Sequence, residues 1–120
     1  MAEPLDSLIA ALQASDDLSG ASVSGVLSQV VPPAVIVRPT EPWIEPDRFC
    51  AAAERYVAVA TVSAATPEQG VNDLLVMVRA IMQAATNVTG WDYESVGAPI
   101  IDESTGTAFL VAPVRLIYRS

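Results

Sequence analysis

At 120 residues and 12.6 kDa, with 52% hydrophobic and 17% charged residues, the chain has the size of one domain and too much apolar content for intrinsic disorder. Its charge is −8, from fourteen acids against six arginines with no lysine and no histidine. That balance works against attraction to nucleic-acid phosphates or anionic lipid headgroups, and it removes the usual general base, the usual metal ligand and the His-dependent triad together.

The start, Met1-Ala2-Glu3-Pro4-Leu5-Asp6, is acidic and lacks the basic and long apolar regions of a secretory signal, so it reads as a mature N-terminus. Residues 5–14 place Leu5, Leu8, Ile9 and Leu12 at helical spacing, with Pro4 near the first turn and Asp6 against the N-terminal dipole. Asp16, Asp17, Ser19 and Gly20 end this helix, and Val23, Val26 and Leu27 suggest a first strand of imperfect alternation. Ala34-Val35-Ile36-Val37 is a β-branched run bracketed by Pro32, Pro33 and Pro39, which are expected to set its limits.

Residues 39–47 hold Pro39, Pro42 and Pro46 together with Glu41, Glu45 and Asp47 around Trp43 and Ile44. This reads as a stiff loop presenting apolar residues. Trp43 is either an interface anchor, because the prolines lower the ordering cost, or a lid tucked over its own core. Residues 50–53 add a helical turn or simply lead onward. Residues 54–62 form the firmest strand, with Tyr56, Ala58, Ala60 and Val62 on one face and Arg55, Val57, Val59 and Thr61 on the other. Both faces are mostly apolar, so the second is expected to meet a helix or a neighbouring subunit.

Thr66-Pro67-Glu68-Gln69 is a helix start, with Thr66 as N-cap, Pro67 at the first helical position and Gln69 placed for a capping box. The helix runs to about Ala85, with Val71, Leu74, Leu75, Val78, Ile81, Met82 and Ala85 as its buried stripe and Met77 widening it. The stretch 74–85 is interrupted by Arg79 and Gln83 and is short of the roughly 20 residues that a membrane span needs. After Asn87, Thr89 and Gly90, a strand is expected near residues 96–101. A polar hairpin follows at 102–107, and then a final strand at 108–118 with Leu110, Ala112, Val114, Leu116 and Tyr118 on one face. Pro113 lacks a backbone donor, which places this last strand at an edge or at a bulge. The expected architecture is a single α+β domain over residues 1–120, a mostly antiparallel sheet flanked by two helices in the order α-β-β-β-α-β-β.

Little chemistry is on offer. Asp102 and Glu103 are adjacent on a hairpin and point apart, Ser104-Thr105-Gly106 lacks an aspartate before Thr105, and Cys50 has no histidine to activate it. A lone cysteine also forms no intramolecular disulfide, so no oxidising compartment is implied. The six glycines are scattered and make no phosphate-binding loop, and neither Asp16-Asp17 nor Glu41/Glu45/Asp47 has the spacing of a calcium loop. No catalytic, cofactor-binding or metal-ligating residue is predicted, and the chain reads as a non-enzyme.

One pattern spans nearly the whole chain. It comprises the N-terminal helix, Pro-Pro-Ala-Val-Ile-Val-Arg-Pro at 32–39 and Glu-Pro-Trp at 41–43, then Thr66-Pro67 before the long helix. Gly97-Ala98-Pro99 and Ser104-Thr105-Gly106 follow, leading into Ala112-Pro113-Val114-Arg115-Leu116. In these features the chain resembles the small tail-terminator (tail-completion) proteins of long-tailed bacteriophages, particularly those of actinobacterial hosts. The resemblance implies a homohexameric ring on the last ring of the tail tube, at the head-proximal end of the virion tail and assembled in the host cytoplasm. Its partners would be itself, the major tail tube protein and head–tail connector proteins, with genome DNA passing through the lumen without specific binding and no membrane or cofactor involved. An acidic lumen suits that passage. The contact residues expected on this reading are Glu41, Trp43, Ile44, Glu45 and Asp47, with Ser104, Thr105 and Gly106 of the hairpin. Another connector subunit, a stopper or adaptor, remains an alternative, as does a small-molecule-binding or enzymatic α+β domain with a pocket beside Trp43 or Trp91.

Overall fold

A computed structural model describes residues 4–18, 20–25, 33–47, 50–63, 67–103 and 108–119. In chain order the elements are α1 (Pro4–Gln13), a 3-10 turn (Asp16–Leu18), β1 (Ser22–Ser24), β2 (Ala34–Asp47), β3 (Cys50–Ser63), α2 (Pro67–Thr86), β4 (Trp91–Val96), β5 (Ile100–Asp102) and β6 (Phe109–Arg119). The strands form one sheet in the order β1-β2-β3-β6-β4, with β5 also on β6. The α+β class and the helix positions agree with the sequence reading. The sheet is mixed, since β1 runs parallel to β2 while every other pair is antiparallel.

Three local expectations give way. Residues 39–47 are strand rather than loop, and β2 continues through all three prolines to pair with β3, which itself begins at Cys50 with no helical turn. The reason lies at the sheet edge: β1 pairs with Ala34, Val35 and Ile36, so from Val37 onward the outer side of β2 meets no strand among the described residues, and a missing donor there costs no ladder bond. The strand predicted near 96–101 is two strands, β4 and β5, separated at Gly97-Ala98-Pro99. That break also accounts for Pro113, which sits in β6, a central strand and not an edge. The Pro113 carbonyl accepts from the Gly97 N–H at 2.8 Å. In an antiparallel strand a residue's N–H and C=O point the same way, so the donor that Pro113 lacks would have aimed into the gap between β4 and β5.

Both helices pack on one face of the sheet. The core joins Leu8 and Leu12 of α1 and Leu18 to Val35 and Val37 of β2, the Tyr56/Ala58/Ala60/Val62 face of β3 and the Leu110/Ala112/Val114/Leu116 face of β6. From α2 come Leu74, Met77, Val78, Ala80, Ile81 and Ala85. Met82 packs partly buried against them, so Met77 and Met82 fill the core as the sequence reading has it. Val71 and Leu75, expected in this stripe, are exposed. The buried arc is rotated toward Gly70, where an added Cβ would stand 2.6 Å from the Leu110 side chain. Small residues at Gly70 and Ala80 let the helix lie close to its neighbours, and that close approach decides the rotation.

The second face of the sheet carries no described helix. Its floor is nonetheless closed, because Val57, Thr61, Val111 and Ile117 are all buried. Beside Arg38 and Asp102, a small pocket of about 130 Å³ opens between Ile36, Val59 and Phe109. The second face therefore presents less exposed apolar surface than its sequence suggests. Val26, Leu27, the Thr66 cap and the hairpin residues Ser104, Thr105 and Gly106 lie outside the described residues.

Candidate functional site

The β2–β3 hairpin carries most of the predicted contact residues. The ladder holds a regular register from Ala34↔Thr61 to Pro39↔Tyr56 and resumes at Ile44↔Glu54. Four residues of β2, from Thr40 to Trp43, thus stand opposite the single residue Arg55 of β3. The Glu41–Pro42 peptide within this bulge is cis. A bulge of this kind bends a strand and re-aims its side chains. Here it turns Trp43 outward at 48% exposure and Ile44 at 56%, while Glu41 and Pro42 are exposed as well. The reading of Trp43 as a lid over its own core is thereby set aside.

Glu45 behaves differently from Glu41. It is half-buried and accepts a hydrogen bond from an Arg55 terminal nitrogen, while Arg55 Nε donates to Glu94 Oε1 at 3.2 Å. The Glu45 hydrogen bond is the main cause that holds the Arg55 guanidinium further toward its charged form; burial opposes it, and the charges of Glu94 and Glu45 add to the rise. In the ladders Arg55 faces Ile117, and Ile117 faces Asp92. Arg55 therefore reaches across β6 to β4, and its stem and head lie over Ile117, which is 1% exposed. This network ties the root of the bulge to the far side of the sheet. Asp47 pairs with Cys50 where the hairpin closes, and neither side chain is among those described.

Trp91, the other aromatic singled out by the sequence, is packed between Tyr56 and Tyr118, with ring centroids 5.4 and 5.3 Å away. It is 5% exposed. The two larger cavities lie elsewhere. One of about 460 Å³ opens between the 3-10 turn and the start of α2, where Gln69 Nε2 donates to Asp73 Oδ1, and one of about 450 Å³ lies between α1 and α2. Neither of these two cavities is lined by Trp43 or Trp91. Asp102 is half-buried on β5 and Glu103 exposed beyond it. Among the described residues no group of three or more acids or cysteines is placed to hold a metal ion, and no helix is long and apolar enough to cross a membrane.

No protein-family model and no curated protein matches the chain.

A second apolar surface escapes the sequence reading. Val71 and Leu75, at 43% and 46% exposure, emerge along one flank of α2. The opposite flank, with Asp73, Val76, Ala80 and Gln83, lines the cavities toward α1 and the 3-10 turn. The Val71 flank therefore faces the β4/β5 edge. There Val96 pairs with Val114 and Ile101 with Leu110, so both stand on the helix side of the sheet, and both are exposed. The available signal was Gly70, whose lack of a side chain draws the buried arc toward itself and away from Val71.

Proposed function

We propose that the chain is a structural virion protein, a phage tail terminator that caps the tail tube as a ring and presents the tail to the head. The observation that carries this reading is the exposed Trp43–Ile44 pair on a proline-braced, acid-flanked bulge. A folded subunit that offers large apolar side chains of this kind has the surface of a protein that assembles. The apolar flank at Val71, Leu75 and Ile101 supports the same conclusion. The sequence resemblance over nearly the whole chain suggests the particular assembly, and the −8 charge suits a lumen through which DNA must slide without sticking.

Incubation with purified tail tubes should give capped ends under negative stain, and tubes that bind none of the protein would remove the proposal. Virions lacking the protein separate the terminator from its nearest rival. Overlong or headless tails belong to a missing terminator, and heads that leak DNA belong to a missing stopper.

A further inference from the structure

The two larger cavities follow one another along α2 and share a wall. Asp17 of the 3-10 turn lines both, the first reaching from Gln69 to Met77 of the helix and the second from Ala80 to Asn87. Between two of the lining residues, Gln69 and Gln83, the helix rises about 21 Å. Short side chains leave this trough unfilled: Ala11 and Ala14 of α1 line the second cavity with Ala80 and Ala84 of α2, and Gly20 and Ala21 border the first.

The trough combines apolar walls with unanswered charge. Pro33, Val62, Val76 and Met77 line the first cavity, where Val76 is half exposed. Asp16, Asp17 and Asp73 are exposed along its length, and none forms an ion pair among the described residues. Asp73 accepts a hydrogen bond from the neutral Gln69 amide. Arg79, the one base of α2, lines neither cavity, and no other described arginine does so. Glu45 and Glu94 are the contrast, because Arg55 answers both of them.

We infer that this trough is a docking site for a basic, amphipathic segment of another protein, its apolar side chains seated over Val76 and Met77 and its lysine or arginine side chains against Asp17 and Asp73. Charge complementarity selects that occupant. An anionic ligand, nucleic acid included, would meet three carboxylates and no base. A second copy of the chain, with fourteen acids to six arginines, brings the wrong sign. Length favours a helical or extended segment over a compact small molecule, since a cavity of about 460 Å³ is followed beyond Asp17 by another of about 450 Å³. The trough is separate from the Trp43 bulge and from the Val71 flank, so the inference goes beyond the terminator reading and does not depend on it.

The probe is a fluorescein-labelled amphipathic peptide of leucine and lysine at helical spacing, titrated with the full chain at physiological ionic strength and read by anisotropy. Binding should saturate and shift amide resonances centred on Ala21, Gln69 and Met77. No binding, or shifts centred on the Trp43 bulge or the open sheet face, would overturn the inference. A chain of charge −8 attracts any cation, so position has to be separated from net charge. Asp17→Asn with Asp73→Asn should weaken binding by about tenfold. Asp6→Asn with Glu103→Gln removes the same charge away from the trough and should change it by less than about twofold. Equal losses in the two pairs would reduce the effect to bulk attraction and sink the inference. Val76→Glu sharpens the separation, because it adds an acid but places it on the apolar wall: docking predicts weaker binding, and simple charge attraction predicts stronger. All five positions are exposed, so circular dichroism of each variant should match the parent. The same peptide with glutamate for lysine should not bind, and equal affinity for it would refute charge as the selector. Binding of hexylammonium as tight as that of the peptide would give the trough to small cations instead, and self-association of the chain that Val76→Glu abolishes would give it to a second copy; either result overturns the peptide occupant.

Discussion

Trp91 and Trp43 belong to the same chain and meet opposite fates. Trp91 opens β4, and the register Trp91↔Tyr118 sets it among Tyr56 and Tyr118 under the C-terminal end of α2. Trp43 stands on β2 where four residues face one, beyond the end of β1, and has no ring neighbour among the described residues. Neighbouring sequence does not separate them, since both are flanked by acids and turn-formers. The ladder separates them: a tryptophan in a regular pair on the helix-covered face is buried, and one on a bulge at an edge is turned out. The same physics that completes the core at one end of the sheet leaves an unfinished surface at the other.

Truncation at the buried site should cost the most. Trp91→Ala removes the middle ring of three and is expected to lower stability by about 3–5 kcal/mol, read as a fall in melting temperature and in the urea midpoint. Next to it, Gly90 has φ +88°, its carbonyl accepts from the Arg119 N–H at 2.9 Å, and a Cβ there would lie 2.6 Å from the Tyr118 ring. Gly90→Ala combines a left-handed backbone with that clash and should cost more than about 1 kcal/mol. A Gly90→Ala protein as stable as the parent would mean that the Trp91 end of the sheet is looser than its geometry implies.

The contrast between the two ends explains what the sequence made legible. Period-two alternation in β3 and β6 sorted their residues into the two faces seen in the structure, because regular ladders carry a strong pattern, but with both faces of β3 apolar it did not say which one the helices cover. Helix α1 and the limits of α2 followed from spacing, Pro67 and the glycine break. The extent of β2 did not, since three prolines ordinarily end a strand and only the shortness of β1, a tertiary fact, permits them. The rotation of α2 was hidden for a related reason: Gly70 and Ala80 contribute closeness and little hydrophobicity, so a stripe read from large apolar residues lands on Val71 and Leu75 instead. Of the candidate contact residues, Trp43, Ile44 and Glu41 are exposed as a contact requires. Glu45 instead serves Arg55, a partner ten positions away that no local pattern announces.

That ion network sits between the two ends and should respond with an intermediate effect. Arg55→Ala removes two partly exposed pairs and uncovers Ile117, for a loss of about 1 kcal/mol. Glu94→Gln should remove a smaller part, and adding it to Arg55→Ala should change little more, because the pair is already broken. The urea midpoints of the two single variants and the double variant check this coupling. Fully additive losses would show that Arg55 does not work through Glu94. Added salt should narrow the gap between parent and variant, since the charges lie near solvent.

The smallest effect on folding is expected where the effect on assembly is greatest. Trp43 is half exposed and is not one of the core cluster's buried residues, so Trp43→Ala should shift stability by no more than about 0.5 kcal/mol. Single-tryptophan variants make the comparison optical: with Trp91 replaced by phenylalanine, the emission of Trp43 should be red-shifted and readily quenched by acrylamide, while Trp91 in the converse variant should be shielded. Tube capping should fall sharply with Trp43→Ala even so, because truncating a central aromatic anchor typically removes about 2 kcal/mol or more of binding. Glu41→Gln, at the polar rim, should weaken capping less and lose its effect at high salt. A Trp43→Ala protein that melts well below the parent would place this side chain in the fold after all. One that melts like the parent and still caps tubes fully would move the contact off β2, and the segment from Ser104 to Gly106 would be the next to substitute.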